Sequence, residues 1–262
     1  MDSQLKDKLA LVTGSTGGIG LAIAKNLASE GASVIVNGRS QESVDKAISE
    51  IASSKGTVKG LVADLSSTDG VKQATEQYPQ LDILVNNLGI YQAKPFVEIT
   101  DEDWQKMFNI NVMSGIRICR AYFPKMLDQN WGRIIFISSD SAVQIPPEMI
   151  HYGMTKAAQV SIARGLAELT ANTAVTINSI LAGPTKTKGV EEFIEDGAKQ
   201  KNASIEETEK KFFEEVRPTS LIQRFAEPKE IADLVTYVAS PLASAINGAA
   251  LRIEGGLIKS AF

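Results

Sequence analysis

The sequence predicts a doubly wound α/β domain, in which helices cover both faces of a central sheet. Short apolar runs rich in β-branched residues recur along the chain, and stretches with helical hydrophobic spacing separate them. Such runs are typical of strands covered on both faces, and their alternation with helices produces a parallel sheet. No linker, repeat or low-complexity tract interrupts residues 1–262. We therefore expect one Rossmann-type domain with a mostly parallel, seven-stranded sheet flanked by helices.

Each element follows from its local pattern. The predicted strands are the apolar runs at 9–13, 33–37, 57–63, 83–87, 133–138, 175–180 and 249–253. The predicted helices lie near 18–30, 41–53, 67–78, 101–127, 152–171 and 227–240. Residues 186–217 break this rhythm, because they carry many charges together with apolar residues at helical spacing. This segment predicts either a helical lid over a substrate site or a plain surface excursion, and its flanking residues favour the lid.

Composition argues against several classes of function. The 262 residues are 44% hydrophobic and 22% charged, and the net charge of -4 gives no basic surface for nucleic acid or an anionic membrane. We expect no signal peptide, and no apolar stretch reaches the length of about 18 residues that a membrane span needs. A single cysteine, Cys119, and a single histidine leave little for a disulfide framework or a zinc site. We therefore expect a cytoplasmic protein without a bound metal.

A glycine-rich turn, T-G-S-T-G-G-I-G, follows the first predicted strand. Glycine lets the backbone approach a pyrophosphate, which then lies at the N-terminus of the next helix. The spacing differs from the G-x-G-x-x-G of many dinucleotide-binding folds, and such a turn could also serve a methyltransferase. Its position between a strand and a helix favours a dinucleotide site. The predicted contacts are Gly14, Ser15, Thr16, Gly18, Ile19 and Gly20.

The end of the second predicted strand indicates which dinucleotide would bind. NAD-binding folds place an acidic residue here to hold the ribose 2′-hydroxyl. This chain has no acidic residue at 34–40 and instead reads N-G-R, so the guanidinium of Arg39 is available for a 2′-phosphate. We therefore predict NADP(H) in preference to NAD(H); the alternative is that Arg39 merely begins a solvated loop.

Two later strand ends supply further predicted cofactor contacts. Asp64 and Leu65 follow the third predicted strand, where a carboxylate could accept a hydrogen bond from an adenine amine. Asn87 and Gly89 belong to N-N-L-G at the end of the fourth strand, where glycine permits close approach to a ligand. Each of these positions, taken alone, fits a plain turn equally well.

Tyr152 and Lys156 form the most informative pair of side chains. Residues four apart share one face of a helix, so the ammonium of Lys156 can lie beside the phenol of Tyr152. A phenol has an ordinary pKa of about 10, and a neighbouring cation lowers that pKa toward the working range. The pair is therefore suited to proton transfer, although the same spacing occurs on many solvated helix faces.

Together these residues resemble the short-chain dehydrogenase/reductase family, from Leu9 to about Gly256. The matching segments occur in the family's order along the chain. They are the glycine turn, N-N-L-G, the asparagine of F-N-I-N-V (Asn111), the serine of I-S-S (Ser139), the pair Tyr152-x-x-x-Lys156, and L-A-G-P-T-K-T after the sixth strand. Leu88 and Ala182 depart from the family pattern, since they replace its usual alanine and proline.

The resemblance implies hydride transfer between a nicotinamide cofactor and a carbonyl compound or secondary alcohol. Tyr152 would donate or accept the proton, while Lys156 would lower the pKa of Tyr152 and bind the nicotinamide ribose. Ser139 would donate to the substrate oxygen, and Asn111 would anchor a water that relays protons to Lys156. Further contacts to the cofactor would come from Gly183, Pro184, Thr185 and Thr187.

The resemblance also implies a homotetramer, with a dimer as the second possibility, because the family packs its C-terminal strand against a symmetry mate. The expected partner is a small carbonyl or alcohol substrate, and nucleic acid and membrane are not expected. A non-catalytic dinucleotide-binding regulator is the main alternative, and a methyltransferase on a related sheet is the third. The intact set of Ser139, Tyr152 and Lys156 argues against both alternatives.

Overall fold

The computed structural model describes residues 2–51 and 55–261, through which one parallel sheet runs. Its strands are β1 (Leu9–Val12), β2 (Ser33–Gly38), β3 (Val58–Val62), β4 (Ile83–Asn86), β5 (Gly132–Ser139), β6 (Val175–Ala182) and β7 (Ala250–Ile253). They lie in the order β3-β2-β1-β4-β5-β6-β7, and each neighbouring pair is parallel. The predicted doubly wound fold is confirmed, and each strand overlaps its predicted run.

Helices cover both faces of this sheet. They are α1 (Gly18–Ser29), α2 (Gln41–Ile51), α3 (Thr68–Gln77), α4 (Asp101–Phe108), α5 (Ser114–Asp128), α6 (Ile150–Glu168), α7 (Lys188–Lys201), α8 (Ile205–Lys211) and α9 (Pro228–Ala239). Residues 52 and 53 of the predicted helix 41–53 lie outside the described residues. The alternation of strands and helices therefore follows the predicted order.

The strands supply two separate hydrophobic cores. In β1, Val12 belongs to the core that contains residues of α1 and α9, whereas its neighbour Leu11 belongs to the core that contains residues of α5. Successive side chains of a strand point to opposite faces of the sheet. Because both faces are covered, both sets of side chains must be apolar, which explains the continuous apolar runs in the sequence.

The predicted helix 101–127 is interrupted, so the prediction of one continuous helix is wrong. α4 ends at Phe108, α5 begins at Ser114, and a π-helical turn, Asn109–Met113, joins them. In this turn, Asn111 Nδ2 donates to the carbonyl of Ile90 at 2.9 Å, and Asn111 Oδ1 accepts from the Ile90 N–H at 2.8 Å. The turn therefore directs a buried asparagine at the loop after β4, and single π-helical turns of this kind are frequent at functional sites.

The charged segment 186–217 contains α7, α8 and a second π-helical turn, Phe212–Val216. Three aromatic rings pack this segment against the residues that precede α9. Phe212, Phe213 and Phe225 contact one another pairwise, with ring centroids 5.0 or 5.1 Å apart. The segment thus has a small hydrophobic core of its own, which holds its helices over the carboxyl edge of the sheet.

The order of the strands reverses its direction between β1 and β4. Ligands of open parallel sheets bind beyond the carboxyl ends of the strands at such a point. The glycine turn follows β1, N-N-L-G begins at the end of β4, and Ser139 is the last residue of β5. The predicted site residues therefore converge on one edge of the sheet.

Asn37 joins three strand ends at this edge through its buried amide. Its Oδ1 accepts from the N–H of Gly14 at 3.0 Å, and its Nδ2 donates to the carbonyls of Leu61 and Ala63 at 3.2 and 3.0 Å. Asn37→Ala would remove all three hydrogen bonds, so we expect the free energy of unfolding to fall by about 2–3 kcal/mol. Urea unfolding measures this change, with the exposed Gln41→Ala as the control. A loss no larger than that of the control would contradict this role.

Candidate active site

The glycine turn between β1 and α1 presents backbone N–H groups. Gly14 and Gly18 adopt φ of 60° and 55°, a conformation that residues with a side chain rarely adopt. Gly17, the N-cap of α1, provides no side-chain hydrogen bond to the first turn of the helix. The N-terminus of α1 therefore keeps its partial positive charge and its N–H groups for an anion, which fits the pyrophosphate of a dinucleotide.

Asn87 holds this turn in place from the end of β4. Its Nδ2 donates to the carbonyls of Thr13 and Gly14, each at 3.0 Å. A Cβ on Gly20 would lie 2.4 Å from that Nδ2, so only glycine fits there. The hydroxyl of Thr13 accepts from the N–H groups of Asn87 and Leu88 at 3.0 and 2.9 Å. Thr13, which was not among the predicted site residues, is thus part of the frame around the turn.

Two predicted cofactor residues direct their side chains into the protein. The hydroxyl of Ser15 donates to the carbonyl of Val12 at 2.7 Å and accepts from the N–H of Asn37 at 3.0 Å. Leu65 is 2% exposed and packs in the core beside α3 and α5. The side chains of both residues therefore support the turn and the strand end, and the cofactor contact expected at each of them stays a prediction.

Arg39 and Asp64 lie at the exposed ends of β2 and β3. The hydroxyl of Ser66 donates to Asp64 Oδ1 at 2.7 Å; this bond, with a smaller contribution from the charge of Arg39, lowers the pKa of Asp64. Within residues 2–51 and 55–261, Arg39 forms no salt bridge. Its guanidinium is therefore available for an anionic group of a ligand.

A cavity of about 520 Å³ opens where these strand ends meet, and Ser139, Tyr152 and Lys156 line it. The helical segment 186–217 contributes another part of its wall. Predicted cofactor residues on the wall are Ile19, Asn87, Gly89, Gly183, Pro184, Thr185 and Thr187. A Cβ on Gly18 would lie 3.4 Å from Thr187, so this wall reaches the glycine turn.

Lys156 lies beside Tyr152 on α6, with Nζ 5.5 Å from the centroid of the tyrosine ring. The same Nζ donates to the carbonyl of Ile137 at 2.8 Å and to Gln159 Oε1 at 3.2 Å. Burial lowers the pKa of Lys156 to about 8. The predicted pairing of the two side chains on one helix face is therefore present, and the ammonium is held by two oxygen acceptors.

Burial raises the pKa of Tyr152 above its ordinary value, although a hydrogen bond with Ser139 acts in the opposite direction. The sequence predicts a lowered pKa because of the neighbouring Lys156. That expectation is not met in this structure, since removal of the phenolate from water outweighs the favourable interactions. The protonated phenol that burial favours is the form that can donate to a carbonyl oxygen.

Gln159 connects Asn111 with Lys156. Its Nε2 donates to the main-chain carbonyl of Asn111 at 2.6 Å, while its Oε1 accepts from Lys156 Nζ. The side chain of Asn111 is also bonded, since its Nδ2 donates to Thr155 Oγ1 at 3.0 Å. Sequence reasoning missed Gln159, although its position three residues after Lys156 places it on the same face of the helix.

Ser139 also forms hydrogen bonds with the two residues that follow it. Its Oγ donates to Asp140 Oδ1 at 2.8 Å and accepts from the N–H of Ser141 at 3.1 Å. Burial raises the pKa of Asp140, and the bond from Ser139 and the charge of Arg217 act against this shift. The other carboxylate oxygen, Asp140 Oδ2, is buried and has no hydrogen-bond partner among the described residues. Asp140 was also missed, although an acidic residue directly after the serine is visible in the sequence.

The described residues contain no group of three or more histidine, cysteine or acidic side chains arranged to hold a metal ion. None of the helices within residues 2–51 and 55–261 is both long and apolar enough to cross a membrane. Cys119 is buried, and burial raises the pKa of its thiol to about 12. The thiol is therefore a packed core group, not a nucleophile.

The chain is similar to oxidoreductases over its full length. A model of the short chain dehydrogenase family matches residues 8–198. The uncharacterized oxidoreductase YvrD of Bacillus subtilis is 50% identical over 99% of this chain and 100% of its own. The 3-oxoacyl-acyl-carrier-protein reductase FabG of Aquifex aeolicus is 34% identical over 98% of this chain and 100% of its own.

Solved structures lead to the same family. L-sorbose reductase from Gluconobacter frateurii, in complex with NADPH and L-sorbose, aligns with a TM-score of 0.93 and 28% identity, over 99% of this chain and 100% of its own. The shared fold, the matched family model and the full-length relatives agree with one another. The chain is an oxidoreductase that belongs to the short-chain dehydrogenase/reductase family.

Proposed function

We propose that the protein transfers a hydride between NADP(H) and a carbonyl compound or secondary alcohol, with Tyr152 as the acid and base. The observation that carries the proposal is the position of Ser139, Tyr152 and Lys156 on one cavity, next to the glycine turn. Gly89 and the segment 183–187 line the same cavity, which suits a nicotinamide ring and its ribose. The reductase relatives, one of them solved with NADPH, support the same reaction class.

The bound nicotinamide would supply or accept the hydride, which no side chain can do. Ser139 would donate a hydrogen bond to the carbonyl oxygen and hold it beside the phenol. Tyr152, kept protonated by burial, would deliver its proton to that oxygen during reduction. Lys156 would stabilise the phenolate left behind, and in oxidation the same groups would act in reverse.

Asn111 would take part in this arrangement through Gln159. The Gln159 amide lies between the Asn111 carbonyl and Lys156 Nζ, where the resemblance implies a water. Gln159 would therefore hold the ammonium in a fixed position, and the π-helical turn would hold the carbonyl that Gln159 needs. In this proposal Asn111 and Gln159 position Lys156 and do not touch the substrate.

A panel of ketones tests the proposed function when the absorbance of NADPH is followed, with NADH run beside it. We expect turnover of at least one ketone with NADPH and slower turnover with NADH. Binding of NADPH, measured by fluorescence, without turnover of any ketone would overturn the proposed reaction. That outcome would instead favour a dinucleotide-binding regulator on the same fold.

Arg39→Met is expected to weaken the preference for NADPH. A hydrogen bond to a charged group contributes about 1.5–3 kcal/mol, so the KM for NADPH should rise roughly tenfold to a hundredfold. The KM for NADH should change little, because NADH lacks the 2′-phosphate. Steady-state kinetics with both coenzymes measure the effect, with the exposed Arg120→Met as the control. An equal change for both coenzymes would contradict the role proposed for Arg39.

We also propose that the protein forms a homotetramer, with β7 at one of the subunit interfaces. β7 is an edge strand, Ala250 and Arg252 on it are exposed, and Leu242 nearby is 39% exposed. An uncovered edge with apolar neighbours favours packing against a second copy. Light scattering coupled to size-exclusion chromatography distinguishes a tetramer from a dimer.

A further inference from the structure

Arg217 enters the same cavity as the proposed catalytic residues, from the end of the helical segment 186–217. Its side chain is 12% exposed, and its guanidinium lies 5.8 Å from the centroid of the Phe212 ring. Its Nη1 donates to the carbonyl of Val216 at 2.9 Å and lies 3.6 Å from Glu148 Oε1. Among the described residues, Nε and Nη2 have no hydrogen-bond partner, so most donors of this cation remain available.

Two acidic side chains flank this cation. Glu148 lines the cavity and pairs with Arg217 at a distance longer than a normal hydrogen bond. Asp140 also lines the cavity, directly after Ser139, and the charge of Arg217 acts on it without a direct ion pair. The remaining charged residue on the wall is Lys156, whose ammonium already donates to Ile137 and Gln159. The positive charge of Arg217 is therefore partly balanced by Glu148, although its Nε and Nη2 donors remain free within the described part of the chain.

A carboxylate bound to the free Nε and Nη2 of Arg217 would be repelled by Glu148, whose Oε1 lies 3.6 Å from Nη1 of the same guanidinium. A hydroxyl group meets no such repulsion, because it accepts from a guanidinium and donates to a carboxylate at the same time. We propose that Arg217 and Glu148 bind an uncharged hydroxyl group of the substrate. The substrate class would then be hydroxylated ketones and the corresponding diols, in preference to keto acids or plain hydrocarbon ketones. This inference rests on the proposed function.

The shared cavity limits how far that hydroxyl group can lie from the reacting carbonyl. Ser139, which would hold the carbonyl, and Arg217 line one cavity of about 520 Å³. A small substrate would therefore carry the two groups close together. α-Hydroxy and β-hydroxy ketones satisfy this requirement.

Matched ketones test the inference on the whole enzyme with NADPH. Hydroxyacetone, butanone and pyruvate form one set, and diacetone alcohol, methyl isobutyl ketone and acetoacetate form the other. A methyl group replaces the hydroxyl group in butanone, and a hydrogen atom replaces it in methyl isobutyl ketone. In pyruvate and acetoacetate a carboxylate replaces the hydroxyl-bearing carbon. We expect the hydroxy ketone to have a kcat/KM roughly ten times that of the apolar ketone or more, since a charged partner contributes about 1.5–3 kcal/mol. The keto acid should be the poorest substrate of each set.

Two variants assign the effect to the proposed pair. Arg217→Met should remove the advantage of the hydroxy ketones and leave kcat/KM for butanone nearly unchanged. Glu148→Gln should raise kcat/KM for pyruvate and acetoacetate, because it frees the guanidinium. The controls are Arg164→Met and Glu168→Gln, which alter an exposed ion pair of 2.5 Å on α6 outside the cavity lining. Circular dichroism establishes that each variant is folded.

The outcomes separate the two proposals. If butanone and hydroxyacetone are reduced equally well, or if Arg217→Met lowers both equally, the hydroxyl site is wrong while the oxidoreductase proposal stands. If pyruvate is the best substrate, Arg217 binds an anion and the inference is overturned. If no ketone is reduced although NADPH binds, the proposed function fails and this inference fails with it.

Discussion

Tyr152→Phe is expected to lower kcat for ketone reduction by about 10²–10⁴-fold, the usual contribution of a positioned general acid. The substitution removes one oxygen atom from a half-buried ring, whose protonated form is favoured by the loss of contact with water. The affinity for NADPH should change far less than kcat. Stopped-flow turnover and fluorescence titration measure the two quantities separately.

Tyr237→Phe is the matched control, since Tyr237 lies on α9 with 41% of its surface exposed. It should keep the kcat of the unmodified protein. If Tyr152→Phe also kept full activity, Tyr152 would not be the proton donor, and another acid on the cavity wall would have to be sought.

Lys156→Met is expected to produce the second large effect. An ammonium 5.5 Å from the tyrosine ring stabilises a phenolate by about 3 kcal/mol if the effective dielectric constant is about 20, which corresponds to roughly a hundredfold in rate. Methionine keeps an unbranched apolar stem but removes the charge and its bonds to Ile137 and Gln159. We expect kcat to fall by about a hundredfold or more. The pH at which alcohol oxidation reaches half its maximum should also rise, because the phenolate then forms only at higher pH.

The exposed Lys229→Met on α9 serves as the control for the loss of a lysine charge. A pH–rate profile is the decisive measurement, since a merely structural role of Lys156 would lower stability without shifting that profile. An unshifted profile would mean that Lys156 does not act on the phenol.

The fold was predictable because its sheet is buried on both faces. Val12 and Leu11 enter opposite cores, so even adjacent positions of β1 must be apolar, and this pattern is visible without any structure. The break between α4 and α5 was not predictable, because local propensity does not produce the π-helical turn. Its asparagine, Asn111, bonds to Ile90 and Thr155, which lie far away in the sequence.

The site was predictable where spacing along one element decides geometry, as for Tyr152 and Lys156 on α6. The site was not predictable where contacts between residues far apart in the sequence decide its geometry. The raised pKa of Tyr152 follows from burial, and the inward position of Ser15 follows from a bond to Asn37. Arg217 comes from the far end of the helical segment 186–217, so only the folded chain shows that it shares a cavity with Ser139.

The strand end of β2 restricts how the choice of coenzyme could be redesigned. An aspartate at position 37 has no amide N–H, so the carbonyls of Leu61 and Ala63 would lose the hydrogen bonds that Asn37 donates. A side chain at position 38 would require Thr16 to move, since its Cγ2 would lie 2.5 Å from the new Cβ. An acidic group that recognises a free ribose would therefore disturb the strand end least from position 39 onward, and conversion to NADH would begin at the very residue that we assign to the 2′-phosphate.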